Sequence, residues 1–264
     1  MQDIKVSIIQ SNIYWGDPNK NIESFEAQIK AIKEKTDLIV LPEMFSTGFN
    51  MQPQDCFETM EGKTVCWMRE KAHELNCVIC GSILIKENDY FYNRLVWMKP
   101  DGNLSFYNKS HLFRFAGENN VYTEGTERVI VQLKDFKFLL QICYDLRFPV
   151  FSRNRYHKGI YDYDCIIYVA NWPESRKYAW HSLLIARAIE NQAYVIGVNR
   201  VGADANGTEH AGDSLIISPK GEIIKETEHH INALMTASLD KASLDEFRKN
   251  FLAGADWDNF EIIN

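Results

Sequence analysis

Gln141-Ile-Cys-Tyr-Asp-Leu-Arg-Phe-Pro149 closes an apolar run, Phe136 to Ile142, with the length and composition of a buried strand. The run stops at a cysteine, and a polar turn closed by proline follows. A cysteine where a strand ends and a turn begins is held by the sheet yet can be reached, the place a fold gives a nucleophile. Taken by itself, such a cysteine is more often a small buried hydrophobe. Two further stretches change that balance. Glu43 follows Leu38-Ile-Val-Leu41 and Pro42, and Lys109 follows Leu104-Ser-Phe-Tyr-Asn108. A glutamate, a lysine and a cysteine each stand just past an expected strand, and strand ends are where α/β active sites are assembled.

Working outward, Ile4 to Ile9 and Asp37 to Leu41 read as strands, the second nearly unbroken in its apolar content and so suited to a buried position. Asp17-Pro18 is a helix start, a capping side chain followed by proline at the first helical position. That helix is expected to run to about Lys35, with Ile22, Phe25, Ile29 and Ile32 on one face. Met44 to Phe49 is expected as a loop with an apolar lining. Thr64 to Asn76 reads as a second helix. Cys77 to Ile85 and Phe91 to Met98 read as paired strands, and Pro100-Asp-Gly102 as a turn. Ser110 to Gly125 has little regular pattern, and an irregular loop of that length is usually functional. Strands are expected over 129–133, 136–142, 165–170, 194–198, 215–218, 221–224 and 233–239, with helices over 175–192 and 244–250 and a polar turn region over 202–212. Helices and strands alternate, but adjacent strand pairs also occur, so the class is α/β with mixed sheets in one domain, 1–264.

The 264 residues carry a formal charge of -7 and 45% hydrophobic residues, the mix of a globule with a sizeable core. No basic footprint points to nucleic acid or an anionic membrane. The amino terminus has no signal-peptide pattern, and no apolar run is long enough to span a bilayer, so a cytoplasmic location with reduced cysteines is expected. The sequons at Asn108 and Asn206 are then chance matches.

Chemistry at Cys143 needs a base and an electrophilic partner. Glu43 is placed to take the thiol proton. Lys109 is placed to hold charge developing on an attacked carbonyl oxygen, and its own charge favours a thiolate. The backbone N–H of Tyr144 offers a second oxyanion donor. Alone, Glu43 reads as a solvated loop carboxylate and Lys109 as a surface lysine; their shared placement links them. Cys77-Val-Ile-Cys80 has redox or zinc spacing, but residues three apart in a strand face opposite ways, so two structural cysteines are expected. His229-His230 lacks a third ligand and reads as a solvated loop pair. Arg187 and Glu190 are expected to pair along their helix, and Trp180, Leu183 and Leu184 to form core or a subunit contact.

Leu41-Pro-Glu43, Lys109-Ser-His-Leu-Phe113 and Cys143-Tyr-Asp-Leu-Arg-Phe-Pro149, in that order, resemble the nitrilase superfamily of carbon–nitrogen hydrolases. Asn171-Trp-Pro173 and Ala186-Arg-Ala-Ile-Glu-Asn-Gln-Ala193 extend the match, which runs from the first strand to Ile224. Lys109 to Arg114 followed by Glu118, the Cys143 motif and Asn199-Arg-Val-Gly202 most resemble the bacterial omega-amidase branch. That branch hydrolyses the terminal amide of 2-oxoglutaramate and 2-oxosuccinamate. The resemblance implies a four-layer α-β-β-α sandwich and a homodimer paired through helices near the active site, with a tail of about 250–264 packing on the partner. It implies Glu43 as general base, Lys109 as oxyanion lysine and Cys143 as nucleophile, forming a thioester without metal or cofactor. A second glutamate is implied on the loop after the lysine; Glu118 and Glu124 both fit, and Phe115-Ala-Gly-Glu118 favours Glu118. Tyr144 and Trp172 are expected to wall the acyl pocket, and Arg147 to be a structural ion-pair partner. The alternatives are a related amidase for deaminated glutathione or an N-carbamoyl compound, and a non-catalytic binding protein on the same fold.

Overall fold

The computed structural model describes residues 2–262. In chain order, the first half forms β1 (Ile4–Gln10), α1 (Pro18–Lys30), β2 (Leu38–Val40), α2 (Lys63–Leu75), β3 (Val78–Glu87), β4 (Tyr90–Met98) and β5 (Leu104–Asn108). The second forms β6 (Ile130–Leu133), β7 (Phe136–Ile142), the single turn α3 (Pro149–Ser152), the hairpin β8 (Tyr156–His157) and β9 (Ile160–Tyr161), β10 (Cys165–Ala170) and α4 (Lys177–Asn191). There follow β11 (Tyr194–Asn199), the hairpin β12 (Val201–Ala203) and β13 (Glu209–Ala211), β14 (Leu215–Ile217), β15 (Ile223–Glu226), β16 (Ala233–Leu239) and α5 (Lys241–Asn250).

Two six-stranded sheets result, in the orders β16-β1-β2-β3-β4-β5 and β15-β14-β11-β10-β7-β6. Each has a parallel centre, β1-β2-β3 in one and β7-β10-β11 in the other, extended by antiparallel neighbours. The unbroken apolar runs have a simple cause: both faces of these central strands are covered. Leu38, Val40, Val78 and Cys80 point between the sheets, where Trp97 meets Phe138 with ring centres 5.3 Å apart. Ile39, Leu41, Cys77 and Ile79 point outward against Phe25, Ile29, Val65 and Met68 of α1 and α2. The two cysteines of Cys77-Val-Ile-Cys80 therefore lie on opposite faces of the sheet, each buried. On the far side, α4 lays Trp180, Leu184 and Ala188 on the second sheet. Gly197 of β11 permits that approach, because a Cβ there would sit 2.6 Å from a Leu184 methyl. The order of layers is α-β-β-α, as the sequence resemblance implies.

The structure refines several boundaries. The Asp17 side chain caps α1 by accepting from Lys20 N, but the helix ends at Lys30, short of Lys35. The expected turn region over 202–212 holds the β12–β13 hairpin. The last helix begins at Lys241, capped by Asp240. The tail as far as Ile262 lies against its own chain, with Trp257 on Tyr161 and Arg153, and Phe260 on Arg155. Residues 263 and 264 of the expected tail lie outside the described residues.

Candidate active site

The parallel strands of both sheets end on the same side of the molecule, and β5 runs the same way as β3 through two antiparallel steps. The ends of β2, β5, β7 and β10 therefore deliver Glu43, Lys109, Cys143 and Asn171 to one place. These four line a cavity of about 410 Å³.

Glu43 is buried, and every oxygen it has is engaged. Oε1 accepts from Asn93 Nδ2 (2.7 Å) and Lys109 Nζ (3.0 Å), and Oε2 accepts from Asn171 N (2.7 Å). Asn171 Nδ2 donates back to the Glu43 carbonyl at 2.6 Å. Lys109 is buried too, and its Nζ also donates to Glu118 at 2.9 and 3.1 Å. Burial opposes the Lys109 charge, but Glu118 and Glu43 together outweigh it and hold the ammonium pKa above its ordinary value. The ammonium is a fixed positive charge in a buried site. Glu118 is itself buried, and its Oε2 accepts from Phe113 N. Burial raises its carboxyl pKa against the pull of Lys109. Glu124 is exposed on the same loop, so the contact with Lys109 is made by Glu118.

Cys143 has a φ of +45°, a left-handed conformation unusual for a side chain with a Cβ. It is the first residue of a tight turn over 143–147. Burial raises the thiol pKa well above its ordinary value, the Glu43 charge raises it further, and Lys109 only partly offsets them. The Lys109 charge does favour the thiolate, as expected, but desolvation and the neighbouring carboxylate outweigh it. The thiol keeps its proton, with the Glu43 carboxylate as hydrogen-bond acceptor beside it. A protonated thiol beside a carboxylate, and a fixed ammonium close to both, can support attack on a carbonyl with proton transfer in the same step. The Tyr144 N–H lies in the first turn after β7, where amides lack intrahelical partners.

Tyr144 and Trp172 both line the cavity, with Phe49, Phe113 and Pro173. Tyr144 packs edge-on against Phe113 (5.0 Å) and Phe148 (5.1 Å). Arg147 has no ion-pair partner among the described residues, contrary to the expectation of a structural pair. It is exposed and lies over the Trp172 ring at 4.8 Å. Arg176, also on the cavity wall, lies over Phe113 at 5.3 Å. Arg187 and Glu190 do pair, at 2.9 Å, and Arg187 also donates to the Leu146 carbonyl, which ties α4 to the Cys143 turn. Trp180 and Leu184 are core. The two histidines are not simply solvated: His229 faces Asp213 and His230 faces Glu174.

Sequence reasoning missed Asn93, which fixes Glu43, and the role of Arg176. Asn93 and Arg94 open the buried half of β4, a polar pair ahead of the apolar Leu95 to Met98.

Residues 5–249 match the carbon–nitrogen hydrolase family. The chain is 43% identical to omega-amidase YafV of Escherichia coli K12 over 262 residues, 99% of this chain and 100% of the relative. It is 32% identical to the 2-oxoglutaramate amidase of Bacillus subtilis 168 over 249 residues, covering 93% of this chain and 94% of that one. The crystal structure of XC1258 from Xanthomonas campestris, a CN-hydrolase superfamily protein with an arsenic adduct in its active site, superposes with a TM-score of 0.97. That protein is 42% identical, with 99% of this chain and 100% of that one covered.

Proposed function

This chain belongs to the carbon–nitrogen hydrolase family, and we propose that it is an omega-amidase, releasing ammonia from the terminal amide of a small 2-oxo dicarboxylic acid monoamide such as 2-oxoglutaramate or 2-oxosuccinamate. The observation that carries the reading is the meeting of Cys143, Glu43 and the doubly paired Lys109 in a cavity flanked by two guanidinium groups, Arg147 and Arg176, with no carboxylate partner among the described residues. The first three are the parts of an amide hydrolysis. The arginines supply charge for a substrate carboxylate at the far end of a short acyl chain.

In the proposed reaction, Cys143 Sγ attacks the amide carbon as the Glu43 carboxylate accepts the thiol proton. The carbonyl electron pair moves onto oxygen, where Lys109 Nζ and the Tyr144 N–H hold it. Glu43 returns the proton to nitrogen as the carbon–nitrogen bond breaks, and ammonia leaves a thioester on Cys143. Water then attacks the thioester carbon, Glu43 takes its proton and passes it to the departing sulfur, and the acid is freed. The sum is amide plus water to acid plus ammonia, a balance that needs no other reactant. Glu118 keeps Lys109 charged and aimed. Tyr144 and Trp172 wall the acyl group. The reading includes a cytoplasmic homodimer, with the carboxyl-terminal tail packing on the partner.

The test is ammonia release from a panel: 2-oxoglutaramate, 2-oxosuccinamate, deaminated glutathione, an N-carbamoyl amino acid and the neutral propionamide. The highest kcat/KM is expected for the 2-oxo acid amides. Arg147→Gln is expected to lower that value by about tenfold or more, the scale of one hydrogen bond to a charged group, and to leave propionamide unaffected. A preference for deaminated glutathione, the N-carbamoyl compound or the neutral amide contradicts the proposal.

A further inference from the structure

One buried carboxylate, two residues past the thiol, takes no part in the reaction just described. Asp145 is fully enclosed. Its Oδ1 accepts from His111 N (3.0 Å) and His111 Nδ1 (2.7 Å). Its Oδ2 accepts from the Tyr107 hydroxyl (2.8 Å) and Ile142 N (2.9 Å). Four acceptor positions are all that an ionised carboxylate offers, so the group is saturated. Two backbone N–H groups and the Tyr107 hydroxyl donate to it, more than a single amide oxygen could accept.

The partners lie at two places that matter. Tyr107 and His111 stand two residues before and two after Lys109, while Ile142 immediately precedes Cys143. The Tyr107 hydroxyl accepts in turn from Ser110 N at 3.1 Å. The His111 ring stacks on Phe148, in the turn after the thiol, with centres 3.8 Å apart. Lys109 follows a strand of the first sheet, and Cys143 follows a strand of the second. No shared ladder of backbone hydrogen bonds sets the one against the other. Cys143 also holds a left-handed backbone conformation, which persists only where the surroundings impose it.

From this juxtaposition we infer that Asp145 is a positioning residue: it locks the loop bearing Lys109 to the turn bearing Cys143, and so sets the oxyanion-holding Nζ against Sγ. It touches neither substrate nor reacting atoms. It acts through the two residues that do.

Asp145→Asn keeps the volume but offers one oxygen to four partners. In the full-length protein it is expected to lower kcat on the order of a hundredfold, as a displacement of about 1 Å does, with KM nearly unchanged. Alkylation of Cys143 by iodoacetamide needs the thiol but no oxyanion site, so its rate is expected to change little. Rates are taken per titratable thiol in folded protein, which separates positioning from a loss of folded molecules. Tyr107→Phe removes one partner of the four. It is expected to lower kcat by less, and to add nothing to Asp145→Asn, since both act through one group. Unchanged kcat in Asp145→Asn overturns the inference, as does an equal fall in kcat and alkylation, or full additivity with Tyr107→Phe. Should Asp145→Asn fail to fold, Tyr107→Phe alone decides, and an unchanged kcat overturns it. The substrate is 2-oxoglutaramate or, if the wild type leaves that untouched, the panel member it does hydrolyse. Failure of the substrate assignment is therefore distinguishable from failure of this inference.

Discussion

Cys143 carries a proton that its surroundings will not release unaided. Burial and Glu43 raise the thiol pKa, and Lys109 does not compensate. In the proposed reaction the proton therefore leaves during attack, to the Glu43 carboxylate hydrogen-bonded to the thiol. In the absence of substrate, the rate of Cys143 alkylation by iodoacetamide is expected to keep rising as pH passes about 9, beyond the range of an ordinary thiol. A plateau reached below about pH 8 would mean a preformed thiolate and contradict a thiol that keeps its proton at rest. The shared placement of Glu43, Lys109 and Cys143 was legible in the sequence because each stands just past an expected strand, and the three do line one cavity. Asn93, Asn171 and Asp145 were not legible as partners. Their roles depend on distances between separate strands, which spacing along the chain does not encode. Arg147 was misread for the same reason: its neighbour is an aromatic face, Trp172, with no carboxylate in reach.

At the scale of elements, start signals read more clearly than stops. Asp17-Pro18 marks the start of α1 with a side-chain cap. The periodic Ile29 and Ile32 conceal its end at Lys30, because Ile32 packs on the same core from beyond the helix. The β12–β13 hairpin went unseen, since its short strands are broken by Gly202 and lack an alternating pattern. That hairpin brings His210 to the cavity wall, almost fully buried. Burial, and then the Arg200 charge, lower its pKa to about 4. An unfolded-state histidine binds its proton near pH 6.5, so between about 6.5 and 4 the unfolded chain holds a proton that the folded chain refuses. Stability from this residue is present above that window and lost as pH falls through it, a loss of order 3 kcal/mol. Urea unfolding from pH 7 to 4.5 is expected to show a shallower decline in His210→Gln than in the wild type. Identical slopes would remove His210 from the acid response.

The whole molecule holds its site by pressing two sheets together face to face. The class of fold was legible from alternating helices and strands, and the four layers from the family resemblance. The strand order was not, because an apolar run such as Leu38 to Leu41 does not name its neighbours. Trp97, fully buried and packed on Phe138, sits in that interface away from the cavity. Trp97→Ala is expected to cost about 3–5 kcal/mol in urea unfolding while leaving turnover per folded molecule near the wild-type level. A cost under about 1 kcal/mol would mean that the sheets are held elsewhere. The two sheets together bring one thiol, one carboxylate and one ammonium to a single cavity, the arrangement on which the proposed amide hydrolysis depends. The most direct measurement is ammonia release from 2-oxoglutaramate by the wild type and Cys143→Ala, side by side, with folding of both checked by circular dichroism. Robust release by the wild type and its loss in the folded variant is the predicted result; release retained by the variant would contradict the covalent reaction outright.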